Sequence, residues 1–162
     1  MAGNLANRVK EKVNKSAGST FWKKFIVTSS DITVAQKALS GAASGDLMVL
    51  KVIFQTDSTG LAGPTNFELG VSGETYGPDK PVVEAVSNLG ASVIRIAPSP
   101  SPAADTTNDN GMTVTAAVPF LLEDGDSLQY SGSVAAGTGA GKVTISILFQ
   151  KVTDGADIKS VL

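Results

Sequence analysis

Histidine and cysteine are both missing from these 162 residues, and each absence removes chemistry. Without cysteine there is no disulfide framework, thiol nucleophile, cysteinyl zinc site or iron–sulfur cluster. Without histidine the usual general base, the commonest transition-metal ligand and the base of a serine triad go too. Aromatic residues are scarce at 6%: Trp22, Tyr76, Tyr130 and six phenylalanines. Sugar-binding platforms and sheets that stack on single-stranded nucleic acid need more exposed rings than that. No run approaches the roughly 20 apolar residues that cross a bilayer; the strongest, Leu47 to Phe54, is interrupted by Lys51. Met1 to Arg8 lacks the apolar core of a secretory signal peptide. The expectation is a soluble chain, made in the cytoplasm and not exported, with no membrane partner.

What is present is a length suited to one domain with a real core and an uneven charge. The overall charge is −2. Residues 1–24 carry Arg8, Lys10, Lys12, Lys15, Lys23 and Lys24 against Glu11 alone, a net +5. Residues 25–162 carry seven basic and fourteen acidic residues, a net −7. A basic arm ahead of an acidic body suits electrostatic docking on a protein, nucleic acid or membrane surface, or else a solvated helix face.

The arm has helical periodicity. Ala2, Leu5, Ala6, Val9 and Val13 fall within one arc of about 100° on a helical wheel, and Glu11 and Lys15 have the favourable i, i+4 spacing. Ser16-Ala-Gly-Ser-Thr20 then interrupts the pattern as a joint. A helix this short is barely stable alone in water, so Leu5, Arg8, Val9, Lys12 and Val13 are candidate partner contacts. Trp22, in Phe21-Trp22-Lys23-Lys24-Phe25, joins them; that segment reads equally well as a contact patch or as an amphipathic first strand.

Beyond Thr20 the period becomes two. Phe67, Leu69 and Val71 alternate with polar or small residues; so do Met112 through Leu122, Leu128 through Val134, and Val143 through Phe149, with Leu148 the exception. Leu47 to Phe54 is apolar at both parities, which predicts a central strand covered on both faces. Phe21–Ser29, Ile32–Ser40 and Val93–Ala97 are further candidates. About eight strands separated by turn residues predict an all-β antiparallel sandwich, jelly-roll-like, over 21–162, preceded by a helical arm and linker over 1–20. Gly77 to Gly90 could hold a short helix capped by Asp79, with Val82 to Val86 as a short strand the alternative; the helix is preferred. Pro98 to Gly111 reads as a long, proline-stiffened loop.

Candidate chemical motifs do not survive their spacing. Gly137-Thr-Gly-Ala-Gly-Lys142-Val-Thr144 has Ala136 where a phosphate loop needs glycine, and Val143 where it needs Ser or Thr. A strand follows it, so it reads as a glycine-rich hairpin loop. Asp105 to Gly111 and Glu123-Asp-Gly-Asp126 lack the EF-hand spacing for calcium and read as turns. Glu123 and Asp126 as a glycosidase pair have no other support. No catalytic, cofactor or metal residue is assigned.

Three stretches carry a family resemblance: Gly45 to Leu69 (GDLMVLKVIFQTDSTGLAGPTNFEL), Leu122 to Leu128 (LEDGDSL) and Gly141 to Ile147 (GKVTISI). In their Gly/Ala/Ser/Thr-rich strands the chain resembles tailed-bacteriophage virion structural proteins of the small β-sandwich type that decorate or cement heads. The resemblance implies a non-enzymatic virion protein working through contacts with other capsid chains, as a homo-oligomer with trimer preferred, and transfers no site residue. Alternatives are a jelly-roll coat protein whose basic arm faces nucleic acid, a partner ranked behind protein, or a carbohydrate- or receptor-binding lectin-like module using loop 98–111.

Overall fold

The computed structural model describes residues 16–61, 67–72, 83–85, 89–97, 112–113, 118–132 and 139–162. Ten strands form among them: β1 (Thr20–Thr28), β2 (Lys37–Ala38), β3 (Leu47–Thr56), β4 (Phe67–Val71), β5 (Val83–Ala85), β6 (Ile94–Ala97), β7 (Met112–Thr113), β8 (Phe120–Leu122), β9 (Leu128–Gly132) and β10 (Lys142–Lys151). One 3₁₀ turn, Ser29–Asp31, follows β1.

The strands make two antiparallel sheets. Sheet A runs β1-β10-β3-β6, with β8 also paired to β3; sheet B runs β2-β9-β4-β5-β7. Pairing is nested: β1 with β10, β2 with β9, β3 with β8. The chain is thus one long antiparallel ribbon rolled up, and β10·β3 and β9·β4 close each sheet where the roll meets itself. This is jelly-roll topology, and it bears out the predicted fold class. The predicted N-terminal helix, with Leu5, Arg8, Val9, Lys12 and Val13, lies outside the described residues, as does the whole of loop 98–111.

The core lies between the sheets and follows the period-two pattern. From sheet A come Phe25 and Val27, Leu47, Val49, Val52 and Phe54, and Val143, Ile145, Ile147 and Phe149. Sheet B answers with Phe67, Leu69, Val71, Leu128 and Tyr130. Phe54 meets Phe67 edge to face at 5.1 Å, and Phe67 stacks on Tyr130 at 6.0 Å. Each such side chain contributes about 1.5–3 kcal/mol by leaving water. The C-terminal segment pairs with residues 40–44 through Ser40↔Ser160 and Ser44↔Asp157, placing Ala156 and Ile158 in the same core.

Several expectations need correction. The alternating run 112–122 is two strands: β7 pairs with β5 in sheet B, and β8 pairs with β3 in sheet A. Pro119, which has no N–H to give a ladder, stands just before β8. Residues 83–85 are strand rather than helix, because β4 and β7 bond them from both sides and β-branched valine suits a pleated ladder. Ile32 to Ser40 contributes only the two residues of β2 and a bridge at Ser40. The glycine-rich segment before β10 is not a hairpin, since β9 and β10 belong to different sheets. Finally, β3 is central in its sheet, yet no layer of the described chain covers its outer face: Met48, Leu50 and Ile53 are half-buried there while their neighbours are fully buried.

Candidate interaction surface

The polar clusters organise loops. At one end of the sandwich, Asp57 accepts the N–H groups of Thr59 and Gly60 (2.9 Å each) and of Lys142 (3.0 Å). The Gly60 amide, foremost, holds the Asp57 carboxyl below its ordinary value, with Thr59, Lys142 and the Lys142 charge adding to that and partial desolvation opposing it. Beside it, Thr56 donates to the Gly90 carbonyl at 2.6 Å and accepts from Val93 N–H at 2.8 Å. Gly60 and Gly141 touch so closely that a Cβ on Gly141 would lie 1.6 Å from the Gly60 carbonyl oxygen, so only glycine fits. These contacts join the ends of β3, β6 and β10, and the bound Lys142 amide belongs to a strand, as the failed phosphate-loop pattern implies.

At the opposite end, Asp124 accepts Gly45 N–H at 2.6 Å, Asp46 accepts Asp124 N–H at 3.0 Å, and Asp126 accepts Glu123 N–H at 3.1 Å. Glu123 to Asp126 is therefore a turn in which Asp126 bonds local backbone while Asp124 ties the turn to Gly45, which is the plain reading of that cluster. Among the described residues no group of three or more carboxylates is placed to hold a metal ion. The basic arm joins the body at this acidic end: Ala17 N–H donates to Asp154 at 2.5 Å, and Gly18 N–H to the Lys151 carbonyl at 2.6 Å. Lys23 pairs with Asp157 at 3.4 Å.

The largest feature left is the outer face of sheet A. Residues directly opposite on antiparallel strands share a face and lie about 5 Å apart. Register therefore sets out four rows: Trp22–Leu148–Lys51; Lys24–Ser146–Ile53–Ile96; Ile26–Thr144–Gln55–Ile94; and Gln150–Met48–Leu121. Eight of these side chains are large and apolar, two are lysine, and none is Asp or Glu. Trp22, Ile26, Ile94 and Leu121 remain 51%, 56%, 50% and 41% exposed. Singly exposed apolar residues are ordinary; a connected set on one sheet face marks an interaction site.

Of the sequence-predicted contacts, Trp22 falls on this face, in an amphipathic strand whose Phe21 and Phe25 turn inward; Phe21 stacks on Phe149 at 5.4 Å. Leu5, Arg8, Val9, Lys12 and Val13 are outside the described residues. Sequence reasoning missed Ile26, Ile53, Ile94, Ile96 and Leu121. Two signals were available for the face: the double-parity apolar run of β3, and Leu148 breaking its strand's alternation.

No family model and no curated protein matches the sequence. Among solved structures the chain is similar to a chain of the acid-stable capsid of Helicobacter pylori bacteriophage KHP30, with TM-score 0.49 and 13% identity over 88% of this chain and 94% of that one. It is also similar to a chain of the capsid of Ralstonia phage GP4, with TM-score 0.48 and 14% identity over 86% and 88%. A third likeness is to a chain of the cyanophage Pam1 capsid, with TM-score 0.47 and 15% identity over 83% and 86%.

Proposed function

We propose that this chain is a non-enzymatic virion structural protein, a capsid decoration, cement or minor capsid module that acts through protein–protein contacts. The observation that carries the structural part is the apolar face on sheet A, beside polar clusters in which Asp46, Asp57, Asp124 and Asp126 accept from loop backbone. The virion part rests on the resemblance of the stretches 45–69, 122–128 and 141–147, which contribute to β3, β4, the β8–β9 turn and β10.

In this reading the body oligomerises, with a trimer favoured, and the basic arm grips a neighbouring capsid chain through Leu5, Val9 and Val13. The acidic end from which the arm departs offers a complementary charge, so an arm reaching from one copy to the next would find Asp46, Asp124 and Asp154 at its destination. Deleting residues 1–18 is expected to leave a folded body that no longer enters particles; normal incorporation of the truncated chain contradicts the arm's role. Mass spectrometry of purified virions made from the genome that encodes the chain tests the location.

A second reading follows from the net +5 of residues 1–24: the arm neutralises packaged nucleic acid. Binding would then weaken with salt at a slope of up to about −0.9 per phosphate contacted. Salt-independent or absent binding to nucleic acid removes that reading.

A further inference from the structure

We infer that the outer face of sheet A docks on an acidic, apolar protein surface contributed by a different chain. The inference rests on the structural role proposed above and adds the chemistry of the partner.

The face is built for contact. Its apolar side chains come from five strands, with Trp22 directly beside Leu148, Ile53 beside Ile96 and Met48 beside Leu121, and with Ser146, Thr144 and Gln55 between them in the other positions. The fold does not ask for them, since the inward positions of the same strands already fill the core. Outward-facing antiparallel strands normally carry polar residues.

Charge identifies what covers it. Lys24 and Lys51 lie within the apolar rows, and no outward position in those rows is acidic. Two copies pressed together through this face would set lysines against lysines with no carboxylate to offset them, a like-charge arrangement costing several kcal/mol. The chain's own arm over 1–20, where Arg8, Lys10, Lys12 and Lys15 outnumber Glu11, is basic too and meets the same objection. Nucleic acid would suit the lysines but not the isoleucines and leucines between them, which offer phosphates nothing. A partner with carboxylates set among apolar side chains satisfies both halves of the face.

The test uses intact virions and carbodiimide coupling, which joins a lysine amine to a carboxylate touching it. Coupling is expected from Lys24 or Lys51 to an Asp or Glu of a different virion protein. The double substitution Lys24→Glu, Lys51→Glu, at outward positions, is expected to keep the melting curve and lower incorporation into particles by about tenfold or more. Coupling only between copies of this chain overturns the inference, as does a chain present in virions with both lysines uncoupled, or with Trp22 photo-cross-linked to nucleic acid. Unchanged incorporation of the double variant overturns it too. A chain absent from the virions defeats the structural role itself, and the partner with it, which separates the two failures.

Discussion

Inside and outside, sheet A draws on similar residues for different ends. Inward, Phe25, Val52, Phe54, Ile145 and Phe149 are sealed from water, and Phe54 meets the Phe67 ring of sheet B edge to face. Outward, Trp22, Ile26 and Ile53 on the same strands, and Ile94 on neighbouring β6, stand among Lys24, Lys51, Ser146 and Thr144, with nothing of the described chain above them. The fold's stability is invested in the first set. The second set, with no structural duty to explain it, is the surface proposed above for contact with another molecule.

Removing a ring from the inner face is expected to have the largest effect. Phe54→Ala leaves a cavity against Phe67 and should lower unfolding free energy by about 3–5 kcal/mol, read by urea titration. Next comes the polar knot at the sandwich end: Thr56→Val strands the Gly90 carbonyl and the Val93 amide and should cost about 1–3 kcal/mol. A loss as small as that of an outer-face change would show that the knot does not hold β3 to β6.

The same comparison shows what was legible beforehand. Period two exposed the inner face directly, because Phe67-Leu69-Val71 and Val143 to Phe149 alternate as half-buried strands must. Strand order was not legible, since β3·β10 joins residues about a hundred apart and β4·β9 residues about sixty apart, and local pattern carries no information on such pairs. Alternation also ran β7 and β8 together: the shared phase of Met112 and Phe120 concealed a change of sheet that only long-range pairing reveals. Val83 misled because a valine-containing segment flanked by Asp79 and Gly90 satisfies helix-end rules, while the deciding ladder lies in β4 and β7. The outer face was half visible, in Leu148 and in the both-parity run of β3, but both-parity apolarity reads the same whether the covering layer comes from the chain itself or from elsewhere.

Two pH effects are smaller. The Asp57 carboxyl titrates below its ordinary 3.8 in the folded chain, so its contribution is complete above that value and is lost as pH falls through the folded pKa. Asp57→Asn should therefore be less stable than the parent at neutral pH, with the difference closing below about pH 4. The Tyr130 hydroxyl is pushed above 10.0, first by burial and then by the Asp31 charge. Its contribution is present below pH 10 and is lost as pH rises through the folded value, so Tyr130→Phe should flatten the alkaline loss of stability. Smallest of all, Ile26→Ser on the outer face should change stability by within about 0.5 kcal/mol; a core-sized loss would mean the face serves the fold.

The central claim is that this face is bare on the isolated chain and covered in the assembly. Because the chain contains no cysteine, an Ile26→Cys variant presents a single thiol, and maleimide labelling reports that position alone. The expected result is rapid labelling of the free protein and strong protection in intact particles, with full reactivity restored on disassembly. Equal labelling rates in the free protein and in the particle would contradict the account.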